Sequence, residues 1–280
     1  MREYVAELYK TVRRPAVWVC VLVLLAIAIT IGYAVPWLAE TFTTSVQGLP
    51  PGTTLADFKV SLYPQNFVLN TLGDPLGGVF ALIIGVLLQG SEYGWGTVKM
   101  LYTQRAGRLA MLIGKLAALA TVIVLMVIGL FAVDAASSVA AALLDGKSID
   151  FPAASEILKG IGAMSLIFAF WAGFGFILAT LFRQSAMAIG LGLAYALVVE
   201  GLIFGFGASL LSWLKNVQQW FPIANTGYLT DSFGSVRIRG IRPSAPPFAD
   251  ATHAVLVLTA YVVVFVVVSA VLVRRRDVTN

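Results

Sequence analysis

Few residues in this sequence have the chemistry that catalysis requires. His253 is the single histidine and Cys20 the single cysteine, so a metal site built on histidines is excluded and His-based catalytic triads are disfavoured. The phosphate-binding pattern Gly-x-x-x-x-Gly-Lys-Ser/Thr is approached only at Gly114-Lys115, where Leu116 follows in place of the hydroxyl. We therefore predict that this chain is not an enzyme, binds no cofactor and does not hydrolyse ATP by itself.

Two carboxylates, Glu200 and Asp134, lie in or beside long apolar runs. A carboxylate inside a membrane span is energetically costly and suggests a functional site. At about 1.5 Å per residue, Glu200 lies about 22 Å along its span and Asp134 lies near the outer surface, so they are not expected to form a catalytic pair. Glu200 either binds an ion or proton, lines a substrate path, or reaches water or Lys215 at the outer boundary.

Aromatic side chains are concentrated in one apolar run, between residues 157 and 182. Trp171 and Phe174 are candidates for a wall that contacts an apolar substrate. The alternative, ordinary packing against lipid and neighbouring helices, is favoured for such a run because it requires no ligand.

Composition places these residues in a membrane. Of the 280 residues, 59% are hydrophobic and 12% are charged, and the mean hydropathy is +0.88, whereas soluble domains carry about 25% charged residues. No clustered basic face with stacking aromatic residues is present, so nucleic-acid binding is set aside. The predicted fold is an all-α polytopic membrane protein, with residues 1–280 forming a single transmembrane domain in the lipid bilayer.

Six apolar runs are long enough to be membrane-spanning helices, which need roughly 20 residues. They lie at residues 16–38, 76–93, 109–133, 157–182, 186–206 and 252–273. Lysine and arginine are enriched on the cytoplasmic side of membrane proteins, and the short link containing Arg183 and the run Arg274–Arg276 fix the orientation. Both termini are therefore predicted to be cytoplasmic.

Two segments outside the spans have an amphipathic pattern. Residues 1–15 place Val5, Leu8, Tyr9 and Val12 on one helical face, as expected for a helix on the inner membrane surface. A frayed polar tail is the alternative. Residues 207–251 form a long outer excursion between the fifth and sixth spans, beginning with an amphipathic or re-entrant helix that Pro222 terminates.

A short charged segment, residues 94–108, separates the second and third spans. Gly94 and Gly96 interrupt the helix, and Thr97 can cap a new short helix through its hydroxyl. Glu92 precedes this segment at the cytoplasmic boundary. A plain positively charged loop is the alternative, but such a loop does not need Gly-x-Gly-Thr followed by a regular helix.

Basic residues follow along the same segment. Lys99, Arg105 and Arg108 give the short helix a solvated, basic surface. Lys115 lies about one and a half turns into the third span and can extend back to the interface. A stiff charged element between two spans suits the transmission of a push from a cytoplasmic partner.

The pattern Glu-Tyr-x-x-Gly-Thr-x-Lys at residues 92–99, followed by Arg108 and Lys115, resembles the signature of ABC-2-type permeases. These are the membrane subunits of a large class of ATP-binding-cassette transporters. The basic amphipathic start, the six spans, the outer excursion and the Arg-Arg-Arg-Asp-Val ending at 274–278 are similar to that family as well. Arg105 is a departure, since the family often has a proline there.

The resemblance implies a mechanism and partners. In such permeases the segment after the second span is a coupling helix that sits in a groove of a separate ATPase subunit, which binds ATP and magnesium. The coupling positions are then Glu92, Gly96, Thr97, Lys99, Arg105, Arg108 and Lys115. The resemblance also implies a second permease chain, identical or different, export as the direction of transport, and the plasma membrane, in a bacterium the inner membrane, as the location.

Two other classes of protein remain as alternatives. A self-contained secondary transporter or channel would use Glu200 as its ion or proton site, and inverted repeats would favour it. No repeat is present in the sequence. A membrane enzyme or an anchoring scaffold is the third possibility, disfavoured by the missing acid–base sets and by the segment at 94–108.

Overall fold

A computed structural model describes residues 2–42, 61–74, 76–94, 107–204, 211, 213–234 and 250–275. Helices make up 87% of the described residues, and no strand occurs among them. The predicted all-α fold is therefore confirmed for this part of the chain.

The helices follow one another with short connections, and two of them continue through π-helical turns. The first helices are α1 (Arg2–Val12), α2 (Pro15–Ile29), a π turn (Thr30–Ala34), α3 (Val35–Phe42), α4 (Phe67–Leu72) after a 3-10 turn (Pro64–Asn66), and α5 (Gly77–Gly94). Those after residue 107 are α6 (Arg108–Leu144), α7 (Ala154–Phe182), α8 (Ser185–Ala194), a π turn (Tyr195–Val199), α9 (Glu200–Leu202), α10 (Trp213–Gln218), α11 (Pro222–Asp231) and α12 (Ala251–Arg275).

Four helices within the described ranges are long and apolar enough to cross a membrane: Pro15–Ala39, Leu109–Leu144, Ala154–Phe182 and Ala251–Arg275. A fifth span results if Pro64–Leu72 and Gly77–Ser91, which meet at a bend of 50°, are counted together. Four of the six predicted spans thus coincide with these four helices, and the predicted span at 76–93 coincides with α5.

The span predicted at 186–206 has a different form from the others. Its apolar helix, Ser185–Val199, includes the π turn and is shorter than the spans above. At 1.5 Å per residue its 15 residues extend about 22 Å, less than the hydrocarbon core of about 30 Å, and α9 continues the helix directly from Glu200 by three more residues. Six spans and cytoplasmic termini therefore stay predictions.

Helix α6 is longer than the predicted third span, which ended at residue 133. The helix continues to Leu144, because the residues after Asp134 are mostly alanine and leucine, which favour helix in any solvent. It ends where Gly146 adopts a positive φ of 62°, the conformation that commonly terminates helices. The additional turns carry α6 beyond the thickness of a bilayer.

Helices α5 and α7 form the centre of the bundle and approach each other at two glycines. A Cβ atom on Gly85 would collide with the carbonyl oxygen of Ala172, and one on Gly175 would collide with that of Leu82. The lack of side chains at these two positions brings the helix axes close together. Helix α12 packs on α7, and α8 packs against both α5 and α7.

The outside of the bundle is apolar, as expected for a protein in lipid. Large hydrophobic side chains are exposed along α2, α6 and α12, among them Trp18, Leu22, Leu125, Leu256, Val263 and Val267. Soluble proteins seldom expose apolar patches of such size, so this surface by itself indicates contact with lipid.

The predicted amphipathic N-terminal helix forms as α1. Val5 and Tyr9 are each 60% exposed, while Glu7 and Thr11 on the opposite face are buried against the bundle. The apolar face is thus available to lipid, and its position on the inner membrane surface stays a prediction. Of the outer excursion at 207–251, the structure describes α10, α11 and a few flanking residues.

Candidate functional site

The last turns of α5 are held by the junction between α1 and α2. The Nη1 of Arg14 donates to the carbonyl oxygen of Leu87 at 2.9 Å and to the hydroxyl of Ser91 at 2.7 Å. Ser91 itself donates to the same Leu87 carbonyl at 2.7 Å. Arg14 therefore bridges a backbone group and a side chain of the helix that leads into the predicted coupling segment.

Lys115 contacts the same part of α5 from the side of α6. Its ammonium donates to the Oε1 of Gln89 at 3.2 Å, and both side chains are buried, at 7% and 3% exposure. The position of Lys115 in the sequence would allow it to extend back to the interface, but the side chain is buried within the bundle. The physical reason is the amide of Gln89, which offers a buried acceptor within reach.

A third element, the start of α8, lies against α5 at Gly90. A Cβ atom on Gly90 would lie 2.5 Å from the Oγ and 3.2 Å from the Cα of Ser185, so a larger residue here would have to displace the Ser185 hydroxyl. The cytoplasmic end predicted for α5 is therefore in contact with the α1–α2 junction, with α6 and with α8 over five consecutive residues, 87–91.

Helix α1 is itself fixed to α6 beside Lys115. The Tyr4 hydroxyl and Thr121 Oγ1 are 3.0 Å apart, and a Cβ atom on Gly114 would lie 3.0 Å from the backbone of Glu3. The N-terminal helix, α5 and α6 thus form one connected group at this end of the bundle.

The remaining predicted coupling positions are described incompletely. Glu92 lies in the last turn of α5 and Arg108 is the first residue of α6, so both flank the segment as predicted. Gly96, Thr97, Lys99 and Arg105 lie outside the described residues. Sequence reasoning identified Lys115 but missed its partner Gln89 and the role of Arg14, although Gln89 and Ser91 are polar residues in an apolar run, which was an available signal.

The aromatic residues of α7 pack together in the interior. Trp171 is buried, and a Cβ atom on Gly78 of α5 would lie 2.5 Å from its ring. Phe174 lies 5.1 Å, centroid to centroid, from Tyr195 in the π turn after α8, and 5.8 Å from Phe265 of α12. These contacts support the packing interpretation, since the rings fill the space between α5, α7, α8 and α12.

Glu200 is buried at 3% exposure and accepts hydrogen bonds on both oxygens. The hydroxyl of Tyr195 donates to Oε1, and the backbone N–H of Ile223 lies 3.2 Å from Oε1 and 3.0 Å from Oε2. These donors come from the protein itself, so the arrangement lends no support to an ion or proton site at Glu200.

Asp134 is buried at 3% exposure, and its predicted depth near the outer surface stays a prediction. It lines a cavity of about 30 Å³ together with Asn70, Asp74 and residues of α2. The amide of Asn70 donates to the carbonyl of Gly32, in the first π turn, at 3.4 Å. A cavity of this size has room for a water molecule. Asp134 is therefore near Asp74, which sequence reasoning missed.

Comparison with known proteins agrees with the resemblance drawn from residues 92–115. Residues 4–278 match the family described as "ABC-2 family transporter protein". The chain is also similar to "Uncharacterized protein YhcI" of Bacillus subtilis (strain 168), with 23% identity over 218 residues, covering 73% of this chain. The chain matches 66% of the length of that relative. Because the family match extends over nearly every residue, this chain belongs to the ABC-2 transporter family of membrane proteins.

Proposed function

We propose that this chain is the permease subunit of an ABC transporter and that it exports its substrate with energy from a separate ATPase subunit. ATP and magnesium bind to that partner, and the permease contributes the path through the membrane. Residues 94–108 form the element on which the ATPase pushes. The family supports the general role, and the contacts at the end of α5 support this particular mechanism.

The observation that carries the proposal is the set of contacts made by residues 87–91. Arg14, Lys115 and Ser185 connect these residues to three other elements, so a displacement of 94–108 is passed to the bundle instead of being absorbed locally. The close approach of α5 to α7 at Gly85 extends the same rigid connection toward the middle of the bundle. Tightly packed interiors transmit strain because they contain few voids.

The assembly proposed is two permease chains with two ATPase subunits in a plasma membrane, the inner membrane in a bacterium. Both termini and the segment at 94–108 face the cytoplasm, and six spans cross the bilayer. Support comes from the basic residues at the predicted inner ends, including Arg183 and Arg274, which follow the distribution expected for cytoplasmic loops.

The test is copurification of an ATPase with the tagged, full-length chain, using Arg108→Glu to disturb the coupling segment. We expect the wild-type preparation to contain an ATP-binding subunit and vanadate-sensitive ATP hydrolysis, and Arg108→Glu to reduce both at least tenfold. Lys147→Glu is the matched control, because it makes the same charge change at the exposed turn after α6 and should leave both unchanged.

A different result would overturn the proposal. If an ATPase-free preparation in liposomes moves a hydrophobic fluorescent dye in response to a proton gradient, the chain is a self-contained secondary transporter. Equal loss of ATPase in Arg108→Glu and Lys147→Glu would show that position 108 has no special part in the association.

A further inference from the structure

The carboxylate of Glu200 joins two helices that are distant in sequence. It lies directly after the π turn at the end of α8 and accepts from Ile223, the second residue of α11. Tyr195, the first residue of the π turn, donates to the same carboxylate. The bond thus connects the predicted fifth span to the short helix that precedes the predicted sixth span.

Helix α11 has no side-chain cap of its own. Phe221 occupies the N-cap position and makes no side-chain cap hydrogen bond, and Pro222 has no N–H to donate. Ile223 is therefore the first residue whose N–H can be capped, and the acceptor comes from 23 residues away. A negative carboxylate is also favoured at a helix N-terminus by the helix dipole.

The turn before α11 is held from the other side by α12. His253 Nε2 lies 3.0 Å from the carbonyl oxygen of Gln219, which requires the proton on this nitrogen. The Tyr261 hydroxyl donates to the carbonyl of Trp220 at 3.2 Å. Residues 219–223 therefore bridge α9 and α12 at the end of the bundle opposite to the contacts of Gly90 with Ser185.

The π turn provides a way to break this bridge. A π-helical turn holds one extra residue relative to an α-helix, and such turns are frequent at functional sites. If Tyr195–Val199 returned to α-helical geometry, Glu200 would rotate by about 100° around the helix axis, the angle for one residue. That rotation would move the carboxylate away from the N–H of Ile223.

We infer that Glu200 is a releasable latch that holds α11 between α9 and α12 and opens during each transport cycle, so that substrate can leave at this end of the bundle. The inference rests on the proposed function, because the ATPase supplies the movement of α8. Tyr195 acts as a positioning residue, since its hydroxyl orients the carboxylate.

The test is residue-resolved hydrogen exchange of the complete complex in lipid nanodiscs, with and without ATP and magnesium. Without nucleotide, we expect the amide of Ile223 to be protected and Glu200→Ala to accelerate its exchange roughly tenfold or more, the effect of losing one charge-assisted hydrogen bond. Tyr195→Phe should accelerate exchange at Ile223 less than Glu200→Ala does. If Glu200→Ala does not fold, the Tyr195→Phe variant still tests the latch. Turnover of ATP should accelerate exchange at Ile223 in the wild type roughly tenfold.

Tyr228→Phe is the matched control. Its hydroxyl lies buried on the same helix and makes no hydrogen bond to the described residues, so exchange at Ile223 should not change. Exchange of the amides of residues 87–91 reports on the end of α5 that lies next to the segment at 94–108. A nucleotide response at 87–91 with none at Ile223, or no effect of Glu200→Ala, overturns the latch and leaves the proposed function standing. No nucleotide response at either end contradicts both.

Discussion

Arg14 donates a hydrogen bond of 2.7 Å to the hydroxyl of Ser91, across 77 residues of sequence. The bond joins the junction of α1 and α2 to the last turn of α5, next to the segment that we propose receives the push of the ATPase. The same guanidinium also holds the carbonyl of Leu87. The N-terminal helix and α5 are therefore expected to move together.

Arg14→Ala should destabilise the protein by about 2 kcal/mol, because hydrogen bonds to charged groups contribute roughly 1.5–3 kcal/mol. It should also lower the ATP turnover of the complex, since α5 would lose its connection to α1 and α2. Thermal unfolding in detergent and ATP hydrolysis in nanodiscs measure the two effects.

Arg13→Ala is the control for this change. The Arg13 guanidinium lies 4.6 Å from the ring centroid of Tyr9, a cation–π contact on the exposed side of α1 that contributes about 0.5–1 kcal/mol. Equal effects of Arg13→Ala and Arg14→Ala on ATP turnover would contradict a specific connection through Arg14.

The pair Lys115 and Gln89 should be energetically coupled. A double-mutant cycle of Lys115→Met and Gln89→Leu measures their interaction, because it subtracts what each side chain contributes through its other neighbours. We expect a coupling energy of about 1–2 kcal/mol in the free energy of unfolding. The double variant should lose less stability than the two single variants lose in sum. Additive effects would show that the 3.2 Å contact contributes nothing.

Gly85→Ala should weaken the packing of α5 on α7. The new methyl group would collide with the carbonyl of Ala172, and overpacking of this kind costs about 1–3 kcal/mol. Gly129→Ala is the matched change on α6, where nothing lies within 4 Å of the added atom, and it should be neutral or slightly stabilising. Thermal unfolding of both variants measures the difference. Equal melting temperatures for Gly85→Ala and Gly129→Ala would contradict the packing account.

The predicted orientation is testable because Cys20 is the only cysteine. In a Cys20→Ala background, Lys147→Cys should react with a membrane-impermeant maleimide in intact cells, and Gln184→Cys should react only after permeabilisation. Both positions are exposed in short connections between helices. Labelling in the reverse order would place the segment at 94–108 on the outer side and remove the basis for a cytoplasmic ATPase.

Hydropathy predicted the long helices well, because a run of about 20 apolar residues has few stable forms other than a helix in lipid. It failed at the end of α6, where Ala135–Leu144 suits a helix in lipid or in water. It also missed the π turns, since Thr30–Ala34 and Tyr195–Val199 have no composition that distinguishes them from the α-helix around them.

The candidate site was predictable only in part. The motif at 92–99 identified the family because its helix-interrupting glycines and its charged residues lie close together in sequence, where a pattern can be recognised. The partners of Arg14 and Glu200 lie 77 and 23 residues away, so only the packing of the helices reveals them. A basic residue beside the first span is already explained by the enrichment of lysine and arginine on the cytoplasmic side. The sequence therefore offered no reason to expect that Arg14 contacts Ser91.

The central claim is that the segment at 94–108 meets a separate ATPase subunit, and photo-crosslinking from position 99 tests it most directly. A benzophenone amino acid in place of Lys99 should crosslink to an ATP-binding subunit in native membranes, and the same amino acid in place of Lys147 should not. Crosslinks from position 99 to lipid alone would contradict the account.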